Sequence, residues 1–299
     1  MSRRVQGYFY LALAMLTVGS TVIASKLIAS GLPPFTATAL RFALALPVFF
    51  LLMRASGARL PKLSGHDRLI LFIQAGAGSV GYTTLLISGL SLTSAADAGV
   101  IIGTLPVVSA AISILLLGER PQPALMFAVA LAAAGVFSIA FAPDAAGGSL
   151  AGNALIFLAV VCEGVFILLN KRLKTEIAPL AQSTLMTGIG LVVSAVPAVF
   201  EAPLAQGFSP GAVAAVAYYA LVPTVGGFLL WYAGAERVSG TEASLFTALA
   251  PVSAVMLAFA VLGEAVGLNQ IAGIGCVLAA VFGLAFAGGR AGTKLIEER

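Results

Sequence analysis

Residues 104–119, TLPVVSAAISILLLGE, return at 249–264 as LAPVSAVMLAFAVLGE, and the offset of 145 positions holds without a gap over most of the chain. Gly19, Lys26 and Pro34 fall on Gly164, Lys171 and Pro179. Val80 and Gly81 fall on Val225 and Gly226, and Gly89, Ser94, Pro106 and Glu119 on Gly234, Ser239, Pro251 and Glu264. A chain that repeats its landmarks in register is expected to fold as two copies of one unit, here residues 1–145 and 146–299. How the copies are related depends on what each unit must traverse. Hydrophobic residues make up 60% of the sequence and charged ones 9%, with a mean hydropathy of +1.06. A soluble domain of this length has no way to cover its surface with so few polar groups.

Apolar stretches of roughly 20 residues match helices that cross a ~30 Å hydrocarbon layer, where every backbone group must bond internally. The sequence predicts ten, at about 8–30, 34–53, 67–89, 95–117, 123–142, 150–170, 180–200, 210–235, 240–262 and 268–288. The fold class is therefore an all-α membrane protein with five spans per half. Five is odd, so the second copy enters the bilayer upside down, as an inverted-topology repeat.

Charge tests that inversion independently, because Lys and Arg accumulate in cytoplasmic loops. The loop after the second span carries Arg54, Arg59, Lys62 and Arg68, whereas its repeat partner FEAPLAQGFSP carries no basic residue. SGLPPF, after the first span, has none, while its partner brings Lys171, Arg172 and Lys174. With Arg3, Arg4, Arg120, Arg237, Arg290, Lys294 and Arg299 on the same side, every basic residue except Lys26 and Arg41 faces the cytoplasm, and so do both termini. The start, MSRRVQGYFYLALAMLTVGSTVIAS, also has the layout of a cleaved secretory signal; the repeat, which extends back into it, favours a retained first span. Cys162 and Cys276 fall inside spans as ordinary small buried thiols, and no metal-binding or nucleotide-binding motif accompanies them.

The Gly and terminal Lys of the first span in each half, the Pro opening the next, the Arg of ALRF and the duplicated Pro-to-Gly-Glu segment resemble the drug/metabolite transporter superfamily, in particular its ten-helix EamA-type exporters. The YddG-type aromatic amino-acid exporters are the members it resembles most. The resemblance covers almost the whole chain and implies alternating access around a central cavity walled by the first four helices of each half. The sequence departs from the common pattern at Val18 and Glu163, where many members carry Trp before the Gly.

Glu163, in VVCEGVF, sits near the middle of the sixth span, where a carboxyl costs about 2.5–3.5 kcal/mol and must face protein or water. It is either a cavity group that meets an ammonium or a proton, or a protonated carboxyl bonded between helices. Arg41 lies seven residues, ~10 Å, below the start of the second span. It either attracts a substrate carboxylate, or snorkels to the interface, or makes a structural pair, with Asp97 the available partner. Lys26 and Lys171 suit a structural role as cations at helix C-termini. Gln74, Gly78 and Tyr82 recur every four residues, and their repeat partners are Tyr219, Pro223 and Gly227, with Trp231 one turn on. Such a face offers an organic solute rings and an amide, although Tyr218, Tyr219 and Tyr232 equally suit a lipid interface. Ser244 and Thr247 share a face with Pro251, as Gly99 and Ile102 do with Pro106, and both prolines act as static bends or as hinges. Gly275, Ala279 and Gly283 form a small-residue ridge expected to pack within the chain.

The function that follows is export of amino acids, aromatic ones included, or similar small metabolites across a bacterial cytoplasmic membrane. The transporter would work among lipids as a monomer, with a dimer the alternative, and without cofactor, metal or nucleic acid. A polyanionic substrate calls for several intramembrane cations, and only Arg41 and Lys26 are on offer. The alternative transport reading is a proton-coupled exporter of organic cations built on Glu163. An intramembrane enzyme needs a nucleophile with a base, or a metal cluster, and neither is visible.

Overall fold

The computed structural model describes residues 3–117, 123–140, 149–170, 172–201, 209–238 and 246–297, and these form helices and turns without a strand. The first half runs α1 (Arg3–Ala29), α2 (Pro34–Ser56), α3 (Gly65–Gln74), a π-helical segment (Ala75–Gly81), α4 (Tyr82–Leu90), α5 (Ala95–Ile102), α6 (Leu105–Leu117) and α7 (Pro123–Ala140). The second runs α8 (Leu150–Asn170), α9 (Pro179–Phe200), α10 (Pro210–Tyr219), a second π-helical segment (Ala220–Gly226), α11 (Gly227–Ala235), α12 (Leu249–Leu262) and α13 (Leu268–Glu297).

Six helical stretches among the described residues are long and apolar enough to cross a bilayer: α1, α2, Gly65–Leu90, α8, α9 and Pro210–Ala235. Outer faces of these and the shorter helices stay apolar, with Leu115, Leu268 and Phe200 at 81%, 83% and 85% exposure, so the protein presents hydrocarbon-compatible surface rather than hiding it.

The offset read from the sequence recurs in the backbone. Ala75–Gly81 and Ala220–Gly226 are the same seven positions moved by 145, as are the starts of α3 and α10 and both ends of α4 and α11. A π turn closes i to i+5, inserting a residue into the ladder. In the second half Pro223, which lacks an N–H to donate, lies inside the segment, and Thr224 Oγ1 donates to the Tyr219 carbonyl at 2.8 Å. Packing repeats likewise: α1 lies against α11 and α12 as α8 lies against α4 and α6, while α2 meets α9 and α5 meets α12. The largest apolar core joins the halves, with Val22 and Ile23 of α1, Leu86 of α4, Ile156 and Val160 of α8, and Ala254 of α12.

Several expectations change. The single span foreseen at 95–117 is two helices, with Gly103 and Thr104 in a turn ahead of Pro106. The ridge of Gly275, Ala279 and Gly283 faces outward, exposed, and α13 meets α7 instead through Gly273, whose carbonyl lies 2.8 Å from the position a Gly135 Cβ would take. Lys171 and Ser244 lie outside the described residues. Lys26 does serve a helix C-terminus, but that of α4 rather than its own: Nζ donates to the carbonyls of Leu90 and Thr93 at 2.8 and 2.6 Å, where a cation meets the negative dipole end.

Gly19 is fixed by close approach. A Cβ there would stand 1.9 Å from Ser253 Oγ and 2.7 Å from the Ala250 carbonyl on α12, which is backbone and cannot turn away. Overpacking of this kind costs about 1–3 kcal/mol or more. Gly19→Ala is expected to lower the thermal unfolding midpoint in detergent by several degrees, whereas Gly275→Ala, with nothing within 4 Å, leaves it unchanged or raised. Equal midpoints for the two variants would contradict this packing.

Candidate functional site

A cavity of about 450 Å³ opens where the halves meet. Six pairs of positions related by the offset line it together: Val18 and Glu163, Tyr82 and Gly227, Ile102 and Thr247, Gly103 and Ala248, Leu105 and Ala250, Pro106 and Pro251. The walls are α1, α8, the two helix starts after the π segments, and the turns before Pro106 and Pro251. Both prolines thus sit at the rim of the cavity, Pro106 in the first turn of α6 and Pro251 in that of α12, where a missing N–H is tolerated.

Of the residues singled out in the sequence, Tyr82, Glu163, Trp231 and Thr247 line this cavity, while Gln74 and Gly78 do not. Gln74 is fully buried and donates from Nε2 to the Phe166 carbonyl at 3.1 Å and to Asn170 Oδ1 at 3.3 Å. Gly78 lies under the Phe166 ring, where any Cβ would come within 2.3 Å. The four-residue spacing fails as a guide here because α8 covers the first part of this face, Phe166 over Gly78 and the Phe166 carbonyl and Asn170 side chain on Gln74. In the second half the matching face, Tyr219, Pro223, Gly227 and Trp231, does reach the cavity.

The difference between the halves has a compact cause. Phe166 on α8 is the repeat partner of Thr21 on α1. The phenyl ring fills the space before Gly78, whereas the small Thr21 leaves the corresponding space open and itself lines the cavity. The pocket is therefore shared by both halves but skewed toward the second. Phe228, Thr224 and Met15 also line it and escaped sequence reasoning; the exchange of Phe166 for Thr21 under the repeat was the available signal.

Glu163 is half-buried, lines the cavity and makes no hydrogen bond or ion pair with the described residues. Its carboxyl is thus presented to the cavity contents rather than tied between helices. Rings of Tyr82, Tyr219, Phe228 and Trp231 share the wall. An anionic group among aromatic faces is a cation-receptive arrangement, because ring faces carry partial negative charge.

Arg41 stands behind this wall. Its guanidinium lies over the rings of Tyr219 and Phe42, 4.3 and 4.6 Å from their centroids, and Nη1 donates to Thr83 Oγ1 at 2.9 Å. The foreseen pair with Asp97 does not form. Asp97 is buried elsewhere: its Oδ1 accepts from Gln270 Nε2 at 2.8 Å, and its backbone N–H donates to Ser94 Oγ at 3.0 Å. Arg41 has no carboxylate within 4 Å among the described residues, although its charge acts on Glu163 at longer range.

Comparison with known proteins places this architecture. The profile of the EamA-like transporter family matches residues 5–141 and again 150–286. The chain is 32% identical over 288 residues to the "Uncharacterized transporter YetK" of Bacillus subtilis (strain 168), spanning 94% of this chain and 87% of that protein. It is 29% identical over 213 residues to the "Probable terminal-alkyne amino-acid exporter" of Streptantibioticus cattleyicolor, spanning 70% and 69% of the two chains. A crystal structure with 22% sequence identity superposes with a TM-score of 0.58, covering 95% of this chain and 99% of the other, a likeness of fold. The chain accordingly belongs to the EamA-like transporter family of the drug/metabolite transporter superfamily, as a multi-pass membrane transporter.

Proposed function

We propose that this transporter exports amino acids, aromatic ones included, and related small metabolites from the bacterial cytoplasm. It does so by alternating access around the cavity between its halves. Ten membrane helices, arranged as inverted repeats over residues 1–145 and 146–299 with both termini cytoplasmic, supply the two wall sets that rock against each other. The observation that carries the reading is the unpaired Glu163 carboxyl facing a ring-lined space of about 450 Å³. That volume lies in the ~300–1,000 Å³ range of small-ligand cavities. It suits a solute with one ammonium and an apolar or aromatic side chain, which Tyr82, Trp231 and Thr247 would contact while Glu163 neutralises the charge. The relative from S. cattleyicolor named as an amino-acid exporter lends support.

Pro106 and Pro251 mark the bends at which α6 and α12 would tilt. Lys26 holds the end of α4 in place and has no part in contacting the solute.

A second reading, proton-coupled export of organic cations, is favoured by the same carboxyl and by the apolar character of the remaining lining. Counterflow of labelled phenylalanine, tryptophan and threonine in liposomes containing purified protein separates the two. Movement of at least one amino acid is expected. Movement of an organic cation alone, with every amino acid excluded, reverses the order of the readings.

A further inference from the structure

A second chamber, of about 220 Å³, lies beside the first and shares Thr224 with it. It runs from Asn170, the last residue of α8, and Gln182, in the first turn of α9, to Arg41. Its chemistry is the reverse of the Glu163 cavity. Asn170 Oδ1 already accepts from Gln74 Nε2 and from Gln182 Nε2, so the group it has left to offer is its NH2, a donor. Arg41 adds a guanidinium whose Nε is buried without an acceptor and whose only described partners are one hydroxyl and two ring faces.

Rings hold a guanidinium in position without neutralising it. A cation inside a membrane is costly unless it pairs with something, and the charge at Arg41 is therefore fixed in geometry but left open to an anion. Tyr219 forms the partition: one face carries the guanidinium and its side chain also lines the Glu163 cavity. Donors and a planar cation on one side of that ring, and a lone carboxyl on the other, are complementary to opposite ends of one zwitterion.

We propose that the Arg41 chamber is a carboxylate subsite, with Arg41 and the Asn170 amide as its donors, and that the transported solute is a zwitterion rather than a cation. This deepens the amino-acid reading and rests on it. Arg41 thereby becomes a residue that decides specificity, not a structural pair.

The test is binding to the purified full-length protein of three probes that differ in charge: phenylalanine, phenylalaninamide, which lacks the carboxylate, and 3-phenylpropionate, which lacks the ammonium. Wild-type protein is expected to bind phenylalanine at least tenfold more tightly than the amide. In Arg41→Met that preference falls to near unity through loss of phenylalanine affinity, and Arg41→Lys, a point charge without the planar fork, recovers only part of it. Equal affinity for acid and amide in the wild type overturns the subsite, and that measurement stands even where Arg41→Met fails to give monodisperse protein. Retention of the tenfold preference by a folded Arg41→Met also overturns it. Should phenylalanine and its amide both fail to bind while 3-phenylpropionate binds in an Arg41-dependent way, the amino-acid reading fails but the carboxylate subsite stands. Binding of none of the three removes both.

Discussion

Glu163→Gln is expected to reduce amino-acid counterflow about 30-fold or more while leaving the yield and helix content of the purified protein unchanged. Gln keeps the size of the side chain and removes the charge, so the change isolates electrostatics. Truncating one partner of a desolvated charge pair typically costs about 2–5 kcal/mol, and each ~1.4 kcal/mol is a factor of ten. Because Glu163 has no hydrogen-bond partner among the described residues, no packed network collapses with it, and the fold has little to lose. Val18 allows a sharper version, since it lines the same cavity at the repeat-related position. The double change Val18→Glu with Glu163→Val moves the carboxyl across the cavity. If the carboxyl acts on the solute, partial counterflow returns; if Glu163 were only a structural carboxyl of α8, the swap would restore nothing. Counterflow at the wild-type rate in Glu163→Gln would remove the ammonium site altogether.

What could be read from the chain beforehand divides along a physical line. The duplicated Gly, Pro and Glu landmarks carried the backbone, down to the coincidence of Ala75–Gly81 with Ala220–Gly226, because each marks a bend, a cap or a close approach that both copies need. Glu163 was also legible, since an acid near mid-span has few roles. Gln74 and Gly78 were misplaced because periodicity gives a shared face but not what covers it: Phe166 and Asn170 of α8 close over these two positions, whereas the same spacing in the second half, across an equivalent π segment, reaches the cavity. The fate of Arg41 was not legible either, because its position depends on the Tyr219 and Phe42 rings from two different helices. Side chains that break the repeat, Phe166 against Thr21 and Glu163 against Val18, shape the cavity, whereas those that keep it shape the fold.

Removing two carboxylates at the helix ends is expected to have the other large effect, on the balance between inward-facing and outward-facing states. Glu201, just past α9, accepts from the backbone N–H of Phe35 and Thr36 at 3.0 and 2.7 Å and from the Thr36 hydroxyl at 2.7 Å. Glu264, just past α12, accepts from the N–H groups of Ala95 and Ala96, each at 3.0 Å. Each therefore caps the N-terminus of a first-half helix with a side chain from the second half, where the helix dipole favours an anion. In the proposed topology both contacts lie at the outer ends of the helices and must part when the outer side opens. A cap is worth about 0.5–2 kcal/mol, so losing two shifts the equilibrium by about 1–4 kcal/mol, from roughly 5-fold to several hundred-fold. The measurement is alkylation, by an impermeant reagent added outside, of a cysteine placed at Val18 in a background lacking Cys162 and Cys276. Glu201→Ala with Glu264→Ala should accelerate that labelling by the same factor. A contact kept in both states biases neither, so an unchanged labelling rate together with a lowered unfolding midpoint would identify these residues as static caps and place the outer gate elsewhere.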